Sequence, residues 1–209
     1  MSRPWPPRDD ASYSLDVIDR LSPELCTLLR NVKALVLDCD GVLTDGRMYY
    51  DGDGEAFKAF HAHDGLGLVL ARAGGLKLAL LTGRNSPAAV RRCTELGFHV
   101  IKSGRFDKQR ALLEIAAELD VTCGQILYLG DDLIDIPALD LAGLPVCVPE
   151  ACQDVRDRCL LTTEAHGGAG AAREVAELVL KAQGLFGDAL RRVGEKAWLP
   201  ATADGGDGA

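Results

Sequence analysis

The sequence predicts an α/β fold: a doubly wound, mainly parallel, Rossmann-like sheet. Two observations predict it. Short runs of four to six residues are apolar at almost every position, as strands buried on both faces require. Segments with the apolar spacing of helices lie between these runs. A third observation places the chemistry. Polar residues close several of the runs, and open sheets of this kind carry their sites beyond the carboxyl ends of the strands.

The elements follow in order. Residues 1–12 are rich in Pro, Arg, Asp and Ser and read as a loose tail. Ala34 to Leu37 is the first strand, ending at Asp38. Met48-Tyr49-Tyr50 and Ala56 to Phe60 flank Asp51-Gly52-Asp53-Gly54, a hairpin with Asp-Gly turn chemistry. It follows the first strand's acidic end closely and is expected to project over it as a flap. Leu76 to Leu81 is the next strand, ending at Thr82. Ser86-Pro87 starts a helix, a capping residue with Pro at the first helical position, and Val90, Cys93, Thr94 and Gly97 continue it. Phe98 to Ile101 is a strand. Leu112, Ile115, Ala116 and Leu119 mark one face of a helix that opens at Lys108. Ile126 to Leu129 and Leu144 to Val148 are further strands, and 171–183 is a helix. Residues 185–199 carry Leu185, Phe186, Leu190, Val193 and Trp198 and suit an interface helix. Residues 200–209 read as a second tail. A single domain over 13–199 is therefore expected, with no large cap domain.

Composition excludes some functions. The net charge is −8. That disfavours nucleic acid, because proteins that neutralise phosphate backbones are usually basic. Hydrophobic residues make up 47% and charged residues 26%, the balance of an ordinary globular chain rather than a disordered one. No apolar stretch approaches the roughly 18 residues of a membrane span, and the start of the chain lacks the apolar core of a secretory signal. Seven cysteines without a Cys-x-x-Cys pair read as reduced thiols of a cytoplasmic protein.

Four polar positions carry chemistry. Asp38-Cys39-Asp40-Gly41 places two carboxylates at the end of the first strand, and Gly41 permits the turn that aims both at a crevice. Thr82-Gly83-Arg84 closes the next long strand. Lys108 opens a helix, where its charge opposes the helix dipole unless Asp107 caps it. Gly130-Asp131-Asp132-Leu133-Ile134-Asp135 follows Ile126 to Leu129. Each has a plain structural reading as a turn, a cap or a solvated charge. Together they offer more. Oxygen ligands from two strand ends suit Mg²⁺, and a hydroxyl with an ammonium suits phosphate oxygens. Phosphoryl transfer uses such a set.

Asp38-x-Asp40-Gly41, Thr82, Lys108 and Gly130-Asp131-Asp132-x-x-Asp135 resemble the haloacid dehalogenase superfamily of phosphatases, in order and separation. The stretch Asp38 to Gly46 with its Tyr-containing hairpin is similar to the 3-deoxy-D-manno-octulosonate 8-phosphate phosphatase group. So are Asp64-Gly65-x-Gly67, Thr82-Gly83-Arg84 and Gly167-Gly168-x-Gly170. The similarity runs from about residue 30 to Gly184.

The resemblance implies a haloacid dehalogenase fold without a large cap. It implies Asp38 as nucleophile and Asp40 as general acid and base. Mg²⁺ would be held by Asp38, the Asp40 carbonyl and Asp131. Thr82 and Lys108 would hold the phosphoryl group. Asp132 and Asp135 would orient metal-bound water or Lys108. It also implies a homotetramer in which hairpins meet, a cytoplasmic location and a place in lipopolysaccharide biosynthesis. The substrate would be a sugar-acid phosphate, met by Gly83, Arg84, Arg91 or Arg92, and His63.

Two departures matter. His61-Ala62-His63 stands where the group often has Asn-Val-Arg, and Gly167-Gly168-Ala169-Gly170 lacks the group's arginine. A nine-carbon sugar-acid 9-phosphate or another small sugar phosphate stays open, as does an inactive accessory subunit. His61-x-His63 on a strand would share a face, which admits zinc as an alternative, but the pair is expected to line the substrate entrance or a subunit contact. A receiver-type signalling module is excluded by the order of its acids.

Overall fold

A computed structural model describes residues 5–197. In chain order its principal elements are α1 (Asp10–Ile18), α2 (Pro23–Asn31), β1 (Ala34–Leu37), β2 (Tyr49–Asp51), β3 (Gly54–Phe57), α3 (Ala62–Ala73), β4 (Lys77–Leu81) and α4 (Pro87–Glu95). Then come β5 (Val100–Lys102), α5 (Lys108–Glu118), β6 (Ile126–Gly130), α6 (Ile136–Leu139), β7 (Leu144–Cys147), α7 (Gln153–Arg156), β8 (Leu161–Thr162), α8 (Ala171–Ala182) and α9 (Phe186–Ala197).

The main sheet has the order β5-β4-β1-β6-β7-β8, with every pairing parallel. The apolar runs were continuous because both faces are covered. Leu35, Leu37, Leu78, Leu80, Leu127 and Leu129 face a layer that includes α3, α8 and α9. Ala34, Val36, Ala79, Leu81, Ile126 and Tyr128 face the layer of α5 and α6. The period of two along each strand sends alternate residues to opposite layers. The central strand β1 takes β4 on one side and β6 on the other. Its carboxyl end therefore opens into a crevice flanked by the ends of both neighbours.

Several expectations are corrected here. The loose tail over 1–12 is overrun by α1, which begins at Asp10 with Asp9 capping it through Ser12 N–H. The interface helix over 185–199 is α9, and Phe186, Leu190 and Val193 bury within this chain's own core. Trp198 and residues 200–209 lie outside the described residues. The hairpin's second strand ends at Phe57 rather than Phe60, and Lys58, just beyond it, reaches Asp40 with its side chain. His61 is not on a strand: it is the N-cap of α3, its Nδ1 accepting from His63 N–H at 3.3 Å. No helix among the described residues is long and apolar enough to cross a membrane.

Candidate active site

Asp38 follows β1, and its N–H continues the ladder by donating to Leu129 O. The chain then wraps tightly, with Val42, Leu43 and Thr44 N–H all directed at Cys39 O. Gly41 sits in this turn at φ +86°, where a Cβ would lie 2.0 Å from Asp131 Oδ2. Both the backbone angle and the space demand glycine. Gly41→Ala is expected to displace Asp131 and to cut activity at least about 100-fold, as loss of one well-placed site group does; steady-state phosphate release measures it.

Lys108 is the first residue of α5, and its side chain is wholly buried. Its position was unfavourable for the helix dipole, and Asp107 does not cap α5 with its side chain. The Asp107 carboxylate instead takes Arg105, at 2.7 and 2.9 Å. Lys108 is held by other acids: Nζ lies 2.5 Å from Asp135 Oδ1 and 3.1 Å from Asp38 Oδ1. Burial works to lower its pKa, but the two carboxylates outweigh burial and raise it. The ammonium is thus charged throughout the physiological range.

Asp135 is also fully buried, and its oxygens are committed. Oδ1 accepts from Lys108 and from Tyr128 OH at 2.5 Å, and Oδ2 from Asp131 and Asp132 N–H at 3.0 and 3.2 Å. Asp38 and Asp131 differ. Asp38 Oδ1 and Asp131 Oδ1 are buried without a hydrogen bond, the Asp38 contact to Lys108 being an ion pair without alignment. Ligand oxygens of Asp38, Asp131 and Asp135 lie within 4.8 Å of one another. Burial, then repulsion from Asp135, pushes Asp38 up to about 7. Burial, then repulsion from Asp38 and Asp135, pushes Asp131 up to about 8. Two buried acids with spare oxygens and mutual repulsion fit a divalent cation.

Thr82, 2% exposed, follows β4 and faces the same crevice. The crevice has a volume of about 260 Å³, and Gly46, Met48, Gly83, Arg84, Phe106 and Ile134 complete much of its wall. Asp132 also lines it, while its carboxylate accepts from Leu133 N–H at 2.7 Å and caps a 3-10 turn over Leu133–Asp135.

The structure thus gathers Asp38, Asp40, Thr82, Gly83, Arg84, Lys108, Asp131 and Asp132 around one crevice, with Asp135 immediately behind. It does not bring Arg91 or His63 there. Arg91 projects from α4 with its side chain 80% exposed and pairs with Glu95. Arg92 and His61 line a separate small pocket with Asp64. His63 is exposed in the first turn of α3, its ring against His61. That pair belongs to no cluster of three metal-ligating groups among the described residues.

Sequence reading missed Lys58, Glu55 and Tyr128. Tyr128 had a signal, a hydroxyl inside an aliphatic strand, since a buried Tyr O–H needs a partner. Lys58 and Glu55 had none, because an acid and a lysine on a hairpin ordinarily face water. The Asp64 motif also gains a reason. Asp64 accepts from Gly170 and Arg173 N–H at 3.1 and 2.9 Å, tying α3 to the start of α8. That tie sets Gly167 and Gly168 against the backbone of Gly41 and Thr44, where a Cβ has no room.

A parallel α/β sheet whose carboxyl edge gathers carboxylates, a hydroxyl and a buried ammonium defines a class: hydrolases that move phosphoryl groups. Residues 56–143 match the model of the haloacid dehalogenase-like hydrolases. A Haemophilus influenzae 3-deoxy-D-manno-octulosonate 8-phosphate phosphatase is 39% identical over 156 residues, covering 75% of this chain and 87% of the relative. The Escherichia coli K12 phosphatase of that name is 36% identical, covering 81% and 90%. The crystal structure of the Moraxella catarrhalis phosphatase, in complex with magnesium, phosphate and KDO, superposes with a TM-score of 0.78 at 39% identity, covering 83% of this chain and 99% of that one. This chain belongs to the haloacid dehalogenase-like hydrolases, in the family of these phosphatases, and is a phosphoric monoester hydrolase.

Proposed function

We propose that this protein is an Mg²⁺-dependent phosphatase acting on 3-deoxy-D-manno-octulosonate 8-phosphate in the cytoplasm, within lipopolysaccharide biosynthesis. The observation that carries the chemistry is the pair of buried carboxylates, Asp38 and Asp131, each with an oxygen that accepts no hydrogen bond, in the crevice that Lys108 also lines. The substrate rests on the names and similarity of the relatives. Four copies assembled through their hairpins belong to the same reading, supported by exposed Met48, Tyr50 and Phe57 on that flap.

Asp38, Asp131 and the Asp40 carbonyl would hold the cation. When bound, it offsets the repulsion between the Asp38 carboxylate and a dianionic phosphate. The remaining work falls to the chain. An Asp38 oxygen attacks phosphorus and forms an aspartyl-phosphate as the bond to the sugar oxygen breaks. Asp40 gives that oxygen its proton and then takes one from the water that hydrolyses the intermediate. Thr82 and Lys108 hold the phosphoryl oxygens through the transfer. Asp135, with its oxygens committed, orients Lys108. Arg84, a guanidinium on the crevice wall, suits the substrate carboxylate.

A screen of Mg²⁺-dependent phosphate release over sugar-acid phosphates tests this function. 3-Deoxy-D-manno-octulosonate 8-phosphate is expected to rank first. A preference for a nine-carbon 9-phosphate would replace the substrate, and release from no ester would indicate an accessory subunit.

Metal and pH are coupled. Asp38 and Asp131 have folded-state pKa values raised to about 7 and about 8. Their protonated forms are favoured by folding, so their contribution is full below the unfolded value and is lost as pH rises through 7 to 8. The metal-free protein is expected to melt lower at pH 8.5 than at pH 6. Mg²⁺ competes with those protons and binds more tightly at the higher pH. At about 100 times its dissociation constant it adds about 2.7 kcal/mol, or about 5–10 °C for a chain of this size. Calorimetry with and without Mg²⁺ at the two pH values measures both effects.

A further inference from the structure

Lys58 follows β3, where the hairpin returns to the body of the protein. Its backbone is at the surface, yet its side chain is 2% exposed. A lysine in such a place normally extends its ammonium into water. This one turns inward and donates to Asp40 Oδ1. It also pairs with Glu55 Oε2 at 3.0 Å. The other Glu55 oxygen accepts from Ser86 Oγ at 2.6 Å, and Ser86 is the N-cap of α4. Arg84 Nε lies 3.8 Å from Asp40 Oδ2 and 4.0 Å from Glu55 Oε2. Two acids and two bases thus link the loop after β1, the hairpin and the start of α4.

The arrangement treats the two Asp40 oxygens differently. Oδ1 is occupied by Lys58. Oδ2 lies beyond hydrogen-bond distance of Arg84 and so stays available. Enclosing an ammonium is costly unless its charge is met, and here Asp40 and Glu55 meet it. A carboxylate held through one oxygen has its rotamer set, which matters for a group that must reach a leaving oxygen within about 3 Å.

We propose that Lys58 is a positioning residue for proton transfer: it pins Asp40 through Oδ1, leaving Oδ2 to serve the leaving group. Glu55, anchored on Ser86, holds Lys58 in place. As the phosphorus–oxygen bond breaks, the proton passes from Oδ2 to the sugar oxygen, and Asp40 later takes a proton from water. Lys58 keeps its protons throughout. The inference rests on the proposed role of Asp40 as acid and base.

The test compares two esters in the full-length, Mg²⁺-loaded protein. An alkyl phosphate, such as 3-deoxy-D-manno-octulosonate 8-phosphate, needs its leaving oxygen protonated. p-Nitrophenyl phosphate does not. Single-turnover cleavage of the alkyl ester is expected to fall about 30- to 100-fold in Lys58→Met, a large part of the 10²–10⁴ that a general acid supplies. Its KM should change less than about threefold. The p-nitrophenol burst should also change less than about threefold, and Lys58→Arg should recover most of the alkyl rate. Equal slowing of both esters, or slowing of neither, overturns the proposal. If Lys58→Met does not fold, Glu55→Gln loosens Lys58 while keeping an acceptor for Ser86, and the same contrast between esters is required. A parent protein that cleaves neither ester overturns the proposed function itself. A parent that cleaves both, with a variant that slows them alike, overturns only the role of Lys58.

Discussion

Asp38→Asn is expected to lower phosphate release by at least about 10⁴-fold, the scale on which removal of an attacking group acts, with the fold intact. The two consequences separate because Asp38 is an electrostatic burden to the metal-free protein. Its carboxylate is buried, repelled by Asp135, and held up to about 7. An amide keeps the shape and removes that repulsion. Melting of the metal-free variant near pH 8 should therefore match or exceed the parent. Phosphate release and thermal melting on one preparation measure both. Activity within about tenfold of the parent would sink the assignment of Asp38 as nucleophile.

Lys108→Met is expected to damage both function and stability. Lys108 is buried at the base of the crevice, where it meets Asp38 and Asp135. Its removal leaves Asp135 buried with no opposing charge. Breaking one side of a buried pair costs about 3–5 kcal/mol, which lowers the melting temperature by about 6–20 °C in a chain of this size. Adding Asp135→Asn should return part of that loss, because the residual charge goes too. A double-mutant cycle then gives a coupling that independent sites would not show. Phosphate release should stay low in both variants, since neither restores a cation at the phosphoryl site. A Lys108→Met protein as stable as the parent would contradict the buried-pair argument.

Much of this was legible along the chain because it depends on neighbours in sequence. β1, β4, β6 and β7 coincide closely with the continuous apolar runs, since each must be covered on both faces. Ser86 and Pro87 start α4 as their capping chemistry requires. Asp38, Thr82 and Asp131 stand at strand ends because a polar residue after a buried strand is where the chain can leave the core. Other expectations differ from the structure where the direction of a side chain or the start of a helix decides the outcome. Asp107 stands where it could cap α5, but its carboxylate pairs with Arg105 instead. Arg91 had the right chemistry for a substrate, but the phase of α4 turns it to solvent and Glu95. His61 and His63 suited a strand, but α3 begins between them.

The sequence by itself determined a parallel α/β scaffold and a set of acids, a hydroxyl and a lysine at its edges, because burial periodicity and turn chemistry are local properties. Tertiary structure decided which of those acids retain a free oxygen. Asp135 is spent on Lys108, Tyr128 and two backbone N–H groups, whereas Asp38 and Asp131 keep oxygens to offer. It also decided that Lys58 and Glu55, unremarkable on a hairpin, bracket Asp40. The reason is physical. Whether a carboxylate is committed or available depends on which donors reach it in the folded chain, and the charged ones, Lys108 at Asp135 and Lys58 at Asp40, come from other elements.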